Sequence, residues 1–494
     1  MAKEDVKIAP SPVYAPTLGI IGNIPSTMLD PRAIVACNNI RLKDGVASKR
    51  TGYVAYGTGT ITGVPIAFFS YQKFDLTEYE VLVTTTNVYK RHTDGSWVSI
   101  AATLNGTVDV RASLAFIENY LVFTNGKDAP AKWDGTTWSA LDDSGTVGWA
   151  DYRAKIFVPY KERLLGFNDN SSGTETAIRQ IYSCLGDFDN VNDTGSGFND
   201  FTRGMGNEIV GAAELKDYVA VYKNMSCCLL DYIGGSSLYA LNAHVQGVGL
   251  GGPHCIANLG TSHIILGSDW NFHEWNGGWE LNHIGDPIKK LFQSELTATS
   301  KAKAKRNFCV VNLEQREVTF FIVIGANDYP TRTWTYNIDD RSWVKGTIAS
   351  ISSGGSVTKA GVERTLLGLS AGTTFHYDYS ALNDNDAAIS CEFETGDFVL
   401  SKEGYQNRQR RYQGMDIDVK GYSTSSKLSL QYSVDEGVTW SDAVTKTLTA
   451  GYDWTTWNFL VTARKIRFKF SDATAGQSFS IRYYGLLQKE GEVG

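Results

Sequence analysis

Residues 264–279 read IILGSDWNFHEWNGGW, and residues 121–138 read LVFTNGKDAPAKWDGTTW. In both stretches a short apolar run precedes an Asp-Gly or Asn-Gly pair that is flanked by tryptophans. An apolar run of this length is typical of a strand buried on both faces. The Asp-Gly or Asn-Gly pair supplies the positive φ values that a two-residue hairpin turn requires. Each stretch therefore predicts a β-hairpin whose aromatic side chains pair across the strands.

The same pattern recurs along the chain. Its three clear copies carry the turn and aromatic residues Asp94 and Trp97, Asp134 and Trp138, and Asn276 and Trp279. A weaker fourth copy runs through Tyr336 and Trp343. The first interval, Trp97 to Trp138, is 41 residues, and the 141 residues from Trp138 to Trp279 leave room for two degenerate copies. A period of about 40 to 50 residues built from strands alone is typical of a β-propeller.

The predicted fold class is all-β, with three consecutive parts. We expect a propeller of six or seven blades over residues 50–387, with unrelated hairpins that reuse a favourable turn as the alternative. Residues 388–494 lack the blade pattern but alternate clearly, as in Ile466, Phe468 and Phe470, which predicts a C-terminal antiparallel β-sandwich. Residues 1–49 hold five of the eleven prolines and little alternation, which favours an extended N-terminal arm.

Composition excludes several classes of protein. The formal net charge of -7, from 46 basic and 53 acidic residues, argues against a protein held on nucleic acid mainly by phosphate neutralisation. The longest apolar run, Val318 to Ile324, is far shorter than the ~20 residues that span a bilayer, so we expect no signal segment and no membrane span. The seven cysteines form no CxxC pair, which predicts reduced core residues instead of a disulfide framework.

Motifs that carry chemistry are scarce. Residues 433–440, SVDEGVTW, fit the Asp-box of sialidases, in which Asp435 would cap a hairpin turn and Trp440 would pack beneath it. In that family the box is a structural turn, remote from catalysis. No spacing of carboxylates identifies a glycosidase pair, and no hydrolase, metalloprotease, phosphate-loop or dinucleotide motif is present. We therefore predict no catalytic residues and no cofactor.

Four histidines follow one another at intervals of nine or ten residues: His254, His263, His273 and His283. These spacings match neither a helical pair nor a zinc knuckle, although successive strands could bring the side chains together. Ordinary strand or turn positions are the preferred interpretation, so no metal site is predicted.

Two basic clusters stand out, with the residues Lys301, Lys303, Lys305 and Arg306, and Arg408, Arg410 and Arg411. One interpretation is a solvated sheet edge whose positive charge discourages strand pairing. The other is a contact with an acidic partner subunit or with passing DNA.

Residues 30–53, DPRAIVACNNIRLKDGVASKRTGY, resemble the N-terminal region of tail proteins from tailed bacteriophages. The WDGTTW and WNGGW hairpins, the YNIDDRSW unit, and QYSVDEGVTW followed by ARKIRFKF extend this resemblance to the β-propeller tail proteins of short-tailed phages. Those are the packaged-DNA stabilisation, tail hub and nozzle proteins. The resemblance covers most of the chain in architecture. Its motifs do not distinguish among these three types of tail protein.

The resemblance implies a structural virion protein that forms a homo-oligomeric ring, of which a hexamer is one form. The ring would continue the portal channel, retain packaged DNA and conduct it at ejection. Its implied partners are a portal or adaptor, other tail proteins and, transiently and without specificity, double-stranded DNA; its location is the virion tail, after assembly in the host cytoplasm. An acidic channel wall would repel phosphates and let the duplex slide. Exposed aromatics on hairpin tips, such as Trp97 and Trp138, would suit subunit contacts.

Two other classes remain open. One is a propeller that binds or hydrolyses a host-surface carbohydrate, which the 25 Tyr, 22 Phe and 12 Trp residues and the single Asp-box favour. The other is a cellular interaction propeller of the WD-repeat kind. The second is disfavoured because the Gly-His and Trp-Asp motifs of WD repeats do not recur along the chain.

Overall fold

The computed structural model describes residues 13–141, 147–171, 175–235, 238–399 and 409–489. The chain divides into two compact units. The propeller unit comprises Ala55–Thr333 and Ile348–Tyr377, and the terminal unit comprises Met1–Val54, Trp334–Thr347 and Asp378–Gly494. This division differs from the three consecutive parts predicted at 1–49, 50–387 and 388–494, because strands near both ends of the chain share the same sheets.

The propeller unit begins with four antiparallel sheets, each built from four strands that are consecutive in sequence. The first sheet contains Pro65–Gln72, Glu78–Thr84, Val88–Arg91 and Trp97–Ala101. The second contains Ser113–Ile117, Tyr120–Thr124, Ala131–Trp133 and Trp138–Ala140. The third contains Ile156–Tyr160, Arg163–Asp169, Thr176–Tyr182 and Gly197–Asp200. The fourth contains Ile209–Leu215, Tyr218–Lys223, Ser226–Tyr232 and Tyr239–Gln246.

Three smaller groups of strands complete this unit. The fifth sheet contains Ile256–Asn258, His263–Leu266 and Phe272–Trp275. Helices Lys289–Glu295 and Ala298–Ala302 and the 3-10 turn Ala304–Arg306 then lead to the sixth group, Phe308–Asn312 and Glu317–Ile322. The seventh contains Ile351–Lys359, Val362–Leu369 and Thr374–Asp378.

The first strand of each group faces the centre of the unit. In the described residues these seven strands contact one another in cyclic order, and the first strand of the seventh group contacts the first strand of the first sheet. This closed arrangement is that of a β-propeller. Apolar side chains fill the space between successive sheets, as Val81, Val83, Leu121, Phe123 and Trp133 do between the first two.

The contact between the first and seventh groups closes the ring, and a glycine allows the short distance between their backbones. A side chain at Gly355 would place its Cβ 3.0 Å from the Phe68 carbonyl oxygen, so only glycine allows this approach without displacement. Across the same junction the Trp97 indole nitrogen donates to Thr374 Oγ1 at 3.1 Å. Trp97 is buried, and the prediction that it lies on an exposed hairpin tip is wrong, because its ring packs inside the junction.

The hairpin turns are longer than the predicted two-residue turns. Five residues separate Arg91 from Trp97, and of the Asp-Gly pair only Gly95 has a positive φ, at 87°. Asp94 acts through its side chain, since Oδ1 accepts from the Ser96 backbone N–H at 2.8 Å. The turn is therefore stabilised by a carboxylate that mimics a backbone acceptor.

The terminal unit contains two larger sheets. The six-stranded sheet contains Val13–Tyr14, Ile40–Lys43, Val46–Lys49, Arg410–Gly421, Asp453–Ala463 and Phe479–Lys489. The five-stranded sheet contains Ile34–Asn38, Cys391–Thr395, Lys427–Ser433, Val444–Thr447 and Arg467–Asp472. The remaining short elements are Ser26–Met28, a 3-10 turn, and the strands Gly52–Ala55, Arg332–Asn337, Ser342–Thr347, Asn383–Asp384 and Ala387–Ala388.

Residues 13–49 form strands of these sheets where an extended arm was expected. The hairpin of residues 40–49 has the two-residue turn that its sequence predicts, with φ of 53° at Asp44 and 75° at Gly45. A buried ion pair joins this hairpin to the C-terminal region, because Lys49 Nζ lies 2.9 Å from Asp472 Oδ2. The prolines of residues 13–49 therefore lie in connections and edges and do not mark a free arm.

Aromatic contacts join the two sheets of the terminal unit. Tyr484 of the six-stranded sheet lies 5.9 Å, between ring centroids, from Phe470 of the five-stranded sheet. Phe459 and Phe468 make a second contact of this kind at 5.6 Å. Alternation at Phe468 and Phe470, recognised in the sequence, therefore marks the faces that the two sheets bury against each other.

Gly355→Val tests the junction that closes the ring. We expect the added side chain to lower the free energy of unfolding by about 1 to 3 kcal/mol, because the neighbouring atoms are the Cβ and the carbonyl group of Phe68, which cannot move aside easily. Urea unfolding followed by far-UV circular dichroism measures the change. Gly451→Ala, at a position with no atom within 4 Å of the added Cβ, is the control. Equal midpoints for both variants and the parent would contradict the assigned role of Gly355.

Candidate functional site

A central cavity of about 560 Å³ lies in the middle of the propeller unit. The first strands of the second, third, fourth and fifth sheets form its wall, with one residue, Phe69, from the first. Phe116, Ile156, Val158 and Val210 supply much of its apolar surface. This volume lies within the range of pockets that hold small molecules.

Arg111 is the most unusual residue of this cavity. It is 5% exposed, and its Nη2 donates to the carbonyl oxygens of Arg306 and Ser352 at 2.8 and 2.7 Å. Its guanidinium carbon lies 4.5 Å from the centre of the Phe308 ring. Burial lowers the pKa of Arg111 to about 10. No carboxylate of the described residues pairs with Arg111, and its Nε lacks an acceptor.

Of the other charged groups of the cavity wall, Asp109 and Lys155 have ion-pair partners, whereas Glu208 and Glu214 form no ion pair among the described residues. Asp109 accepts from Arg306 Nε at 2.6 Å, and Lys155 forms an ion pair with Glu175. Lys305 is exposed, and among the described residues no carboxylate pairs with it. The cavity thus has one buried and one exposed cation that form no ion pair among the described residues, although Lys305 is close enough to Asp109 to help lower the pKa of that carboxyl.

His254 lies in the same wall and is partly buried. Burial, reinforced by the nearby Arg111 charge, lowers the pKa of His254 to about 3. Burial also raises the pKa of Cys255 to about 12, so its thiol is an inert, protonated group. Cys309 is a free thiol as well, with its pKa raised by burial. At neutral pH both thiols are therefore protonated and the His254 imidazole is uncharged.

The remaining histidines do not converge on one site. His263 is buried and bonds Tyr222 through Nδ1 at 2.8 Å. His273 and His283 contact each other through Nδ1 atoms 2.9 Å apart, and His273 Nε2 lies 2.9 Å from Asp269 Oδ1. Within the part of the chain that the structure describes, no group of three or more metal-ligating side chains is arranged to hold an ion.

A second feature, which we call the Trp279 groove, lies on the surface of the fourth and fifth sheets. It has a volume of about 440 Å³, and Arg203, Asn242, His244, Gln246 and Trp279 are among its lining residues. The Trp279 indole is 72% exposed and stacks on the His244 ring, with centroids 4.2 Å apart and planes at 8°. His244 Nδ1 donates to the Gly277 carbonyl at 2.8 Å, which holds the stacked pair in place.

The other predicted hairpin residues occupy structural positions. Asp134 Oδ1 accepts from the backbone N–H groups of Thr136 and Thr137, both at 2.7 Å. Asn276 Oδ1 accepts from the Gly278 N–H at 3.0 Å. The partly buried Trp138 ring packs against Phe123 at 5.4 Å. Of the three predicted hairpin tryptophans, Trp279 alone is exposed.

The Asp-box folds as a turn in the terminal unit. Asp435 accepts from the Thr439 hydroxyl at 2.5 Å and from its N–H at 2.9 Å, and Ser433 donates to the same carboxylate at 2.7 Å. The hydrogen bond from the Thr439 hydroxyl lowers the pKa of Asp435 to about 2. Trp440 is partly buried under Lys469, whose Nζ lies 4.3 Å from the ring centre.

Carboxylates pair with two of the four residues of the first basic cluster. Lys303 and Arg306 both contact Asp328, at 2.9 and 3.3 Å, and Lys301 lies over the Trp270 ring. Lys305 is the member that faces the central cavity. In the second cluster, Arg408 lies outside the described residues, and Arg410 and Arg411 begin a strand of the six-stranded sheet.

Sequence reasoning missed the two features that look most like binding sites. Arg111 carries no motif, and its role depends on carbonyl groups nearly 200 and 240 residues further along the chain. Trp279 was recognised, but as a turn residue equivalent to Trp97. The WNGGW motif has an extra glycine compared with WDGTTW, and the strand that should follow it is missing. These two differences from the other hairpins could have indicated that Trp279 lies in a different environment from Trp97.

No protein-family model and no curated protein sequence matches this chain. Solved structures do resemble it. Virginiamycin B lyase from Staphylococcus aureus is 8% identical, with 64% of this chain and 97% of that chain covered and a TM-score of 0.41. An exo-β-1,3-galactanase from Phanerochaete chrysosporium is 10% identical, with 89% and 100% covered and a TM-score of 0.27.

PorZ, a surface component of the type-IX secretion system of Porphyromonas gingivalis, is 11% identical over 82% of this chain, with a TM-score of 0.36. The chain spans 46% of the length of PorZ. At these identities and scores the three likenesses carry no argument about function. The mostly-β, propeller-type fold rests on the antiparallel sheets described above. In the same described residues, every helix is too short or too polar to cross a bilayer.

His254→Gln tests the assigned environment of the cavity histidine. Between about pH 6.5 and pH 3 the unfolded chain binds a proton at residue 254 and the folded chain does not, so stability falls as the pH falls. The parent should therefore lose up to about 2 kcal/mol more than His254→Gln between pH 7 and pH 5. Urea unfolding at both pH values measures this difference. His92→Gln, at an exposed histidine, is the control and should lose as much stability as the parent between the two pH values.

Proposed function

We propose that this protein is a non-catalytic structural component of a bacteriophage tail. Copies of it would form an oligomeric ring that continues the portal channel, retains packaged DNA and conducts it at ejection. The motifs of residues 30–53 and of the hairpins support the family, and a long apolar strand at a sheet edge of the terminal unit supports assembly. We also interpret the seven groups of strands as seven blades, and the two packed sheets of the terminal unit as a β-sandwich.

The observation that carries this proposal is the edge strand Asp453–Ala463. It pairs with Arg410–Gly421 on one side, and no described strand pairs with its other side. Its sequence, DWTTWNFLVTA, contains neither proline nor a basic residue. Trp454 and Leu460 on this strand are 51% and 59% exposed.

A strand with these properties is unusual at the edge of a monomer. Monomeric proteins protect their sheet edges with lysine, proline, bulges or short strands, because unpaired N–H and C=O groups recruit further strands. Asp453–Ala463 is eleven residues long and carries apolar side chains, and among the described residues its protection is confined to one register irregularity opposite Tyr412 and Gly414 and a hydrogen bond from Lys446 Nζ to the Thr456 carbonyl. The strand therefore fits pairing with another chain, in which backbone hydrogen bonds supply affinity and Trp454 and Leu460 supply apolar contact.

Leu460→Lys tests whether this edge mediates assembly. Lysine at an edge strand discourages pairing, and the position is exposed, so we expect smaller oligomers with a thermal unfolding midpoint unchanged within a few degrees. Mass photometry and differential scanning fluorimetry measure the two quantities. The matched control is Val438→Lys, which adds the same charge at an 80% exposed valine outside the strand. Equal oligomer masses for both variants and the parent would contradict assembly through this edge.

Electron microscopy of the purified chain tests the tail function more directly. A closed ring with a central hole wide enough for duplex DNA, found also on the tail axis of virions, is the expected result. A particle that stays monomeric at high concentration and is missing from virions would overturn the proposal.

A second candidate function is binding of a host-surface carbohydrate, and the Trp279 groove favours it. An exposed indole held by stacking on His244 offers a rigid flat platform, and Arg203, Asn242 and Gln246 place hydrogen-bonding groups beside it. Aromatic side chains with a few well-placed polar groups are typical of small-molecule sites. This groove needs no catalytic residues, and it is compatible with a tail protein.

Trp279→Ala tests the carbohydrate candidate. If the groove binds a glycan, the parent should bind a subset of a bacterial glycan array, and the variant should lose at least about tenfold in affinity because its platform is gone. Trp454→Ala removes an exposed tryptophan of the terminal unit and should bind as the parent does. An array without any signal, or an equal loss in both variants, would remove this candidate.

A further inference from the structure

Arg111 holds a positive charge inside the propeller that the described residues do not balance. A buried charge is costly unless it is paired and hydrogen-bonded. Two carbonyl oxygens and the Phe308 ring compensate Arg111 in part. Both carbonyl contacts use Nη2, so Nε and Nη1 donate to no acceptor of the described residues.

None of the described groups around Arg111 forms an ion pair with it, including Glu208 and Glu214, which line the same cavity. His254 is uncharged at neutral pH, and Cys255 keeps its proton. Asp109 is already bound by Arg306 through two contacts, at 2.6 and 3.2 Å. Arg111 is therefore free to pair with a negatively charged group of a molecule that enters the cavity.

The cavity beside Arg111 has the space and the walls for such a molecule. Its volume of about 560 Å³ is far larger than a single oxyanion requires. Phe116, Ile156 and Val158 line it with apolar surface, and Lys305 adds a second cation to the wall. This combination fits a molecule with an apolar body and one negatively charged oxyanion group.

We propose that the central cavity binds a small organic anion, whose carboxylate or phosphate group pairs with Arg111 and is attracted by Lys305. The apolar body of the ligand packs against the first strands of the second and third sheets. Because these strands belong to the ring, the ligand stabilises the closed propeller by binding the folded state alone. This site is independent of the tail and carbohydrate proposals above.

Benzoate and benzamide are the probes that test this site on the full chain. They have the same size and shape, and benzoate alone carries a charge. Saturation-transfer NMR should show benzoate binding at least about tenfold tighter than benzamide, because Arg111 recognises the oxyanion. Phenyl phosphate, titrated in parallel, distinguishes a carboxylate site from a phosphate site. Equal binding of benzoate and benzamide, or no binding of benzoate and phenyl phosphate at 10 mM, would overturn the proposal.

Two variants locate the site. Arg111→Met should abolish binding of the charged probe, but it removes buried hydrogen bonds and can fail to fold. Lys305→Glu changes an exposed residue and should weaken binding at least about fivefold while the unfolding midpoint stays the same. Lys427→Glu, at an exposed lysine of the terminal unit, is the matched control. Equal affinities for the Lys305 and Lys427 variants would overturn the proposal.

A crystal soaked with 4-iodobenzoate gives the position of the probe directly. The anomalous signal of iodine should lie inside the central cavity, with the carboxylate directed to Arg111. An iodine position on the outer surface of the protein, with the cavity empty, would overturn the assignment.

Discussion

The closed contact between the first and the seventh groups of strands is the constraint on which the propeller unit depends. No single sheet of this unit can bury both of its faces, so each needs a neighbour on either side. Six of the seven junctions join groups that follow one another in sequence, whereas the seventh joins residues almost 290 positions apart. Gly355 lets the two backbones approach there, and the buried Trp97 fills the space beside them. Without this junction the inner strands would have no common centre.

The central cavity is a direct consequence of that closure. Closing the ring brings the residues that precede successive inner strands to one place, and Arg111 and His254 come from the second and fifth sheets in this way. Arg111 then bonds carbonyl groups at the starts of the sixth and seventh groups. The same geometry that gives the unit its stability therefore creates a buried cation at its centre. A ligand bound at this point would therefore be coupled physically to the folding of the ring.

Tryptophan shows how one sequence pattern can serve different purposes. Trp97 and Trp279 follow turns of similar sequence, yet Trp97 is buried in the ring junction and Trp279 is exposed on a stacked histidine. The difference arises from the neighbouring sheet, which covers the first turn and leaves the second open. In the terminal unit, Trp457 and Trp454 of one strand are likewise buried and exposed, because successive side chains point to opposite faces. Exposure of an aromatic residue is thus decided by neighbours that are distant in sequence.

Local rules made many of the strands and the all-β class predictable from the sequence, because side-chain alternation and turn-forming residues act over a few positions. The burial of Trp97, the pairing of the N-terminal hairpin with the C-terminal region and the isolation of Arg111 were not predictable. Each depends on contacts between residues that are hundreds of positions apart, as Lys49 and Asp472 are. By itself, then, the sequence determined which segments form strands and where many of them turn. Only the tertiary structure decided which strands become neighbours, and therefore which charges are buried and which surfaces stay exposed. The physical reason is that these contacts join residues far apart in the chain, so no short stretch of sequence specifies them.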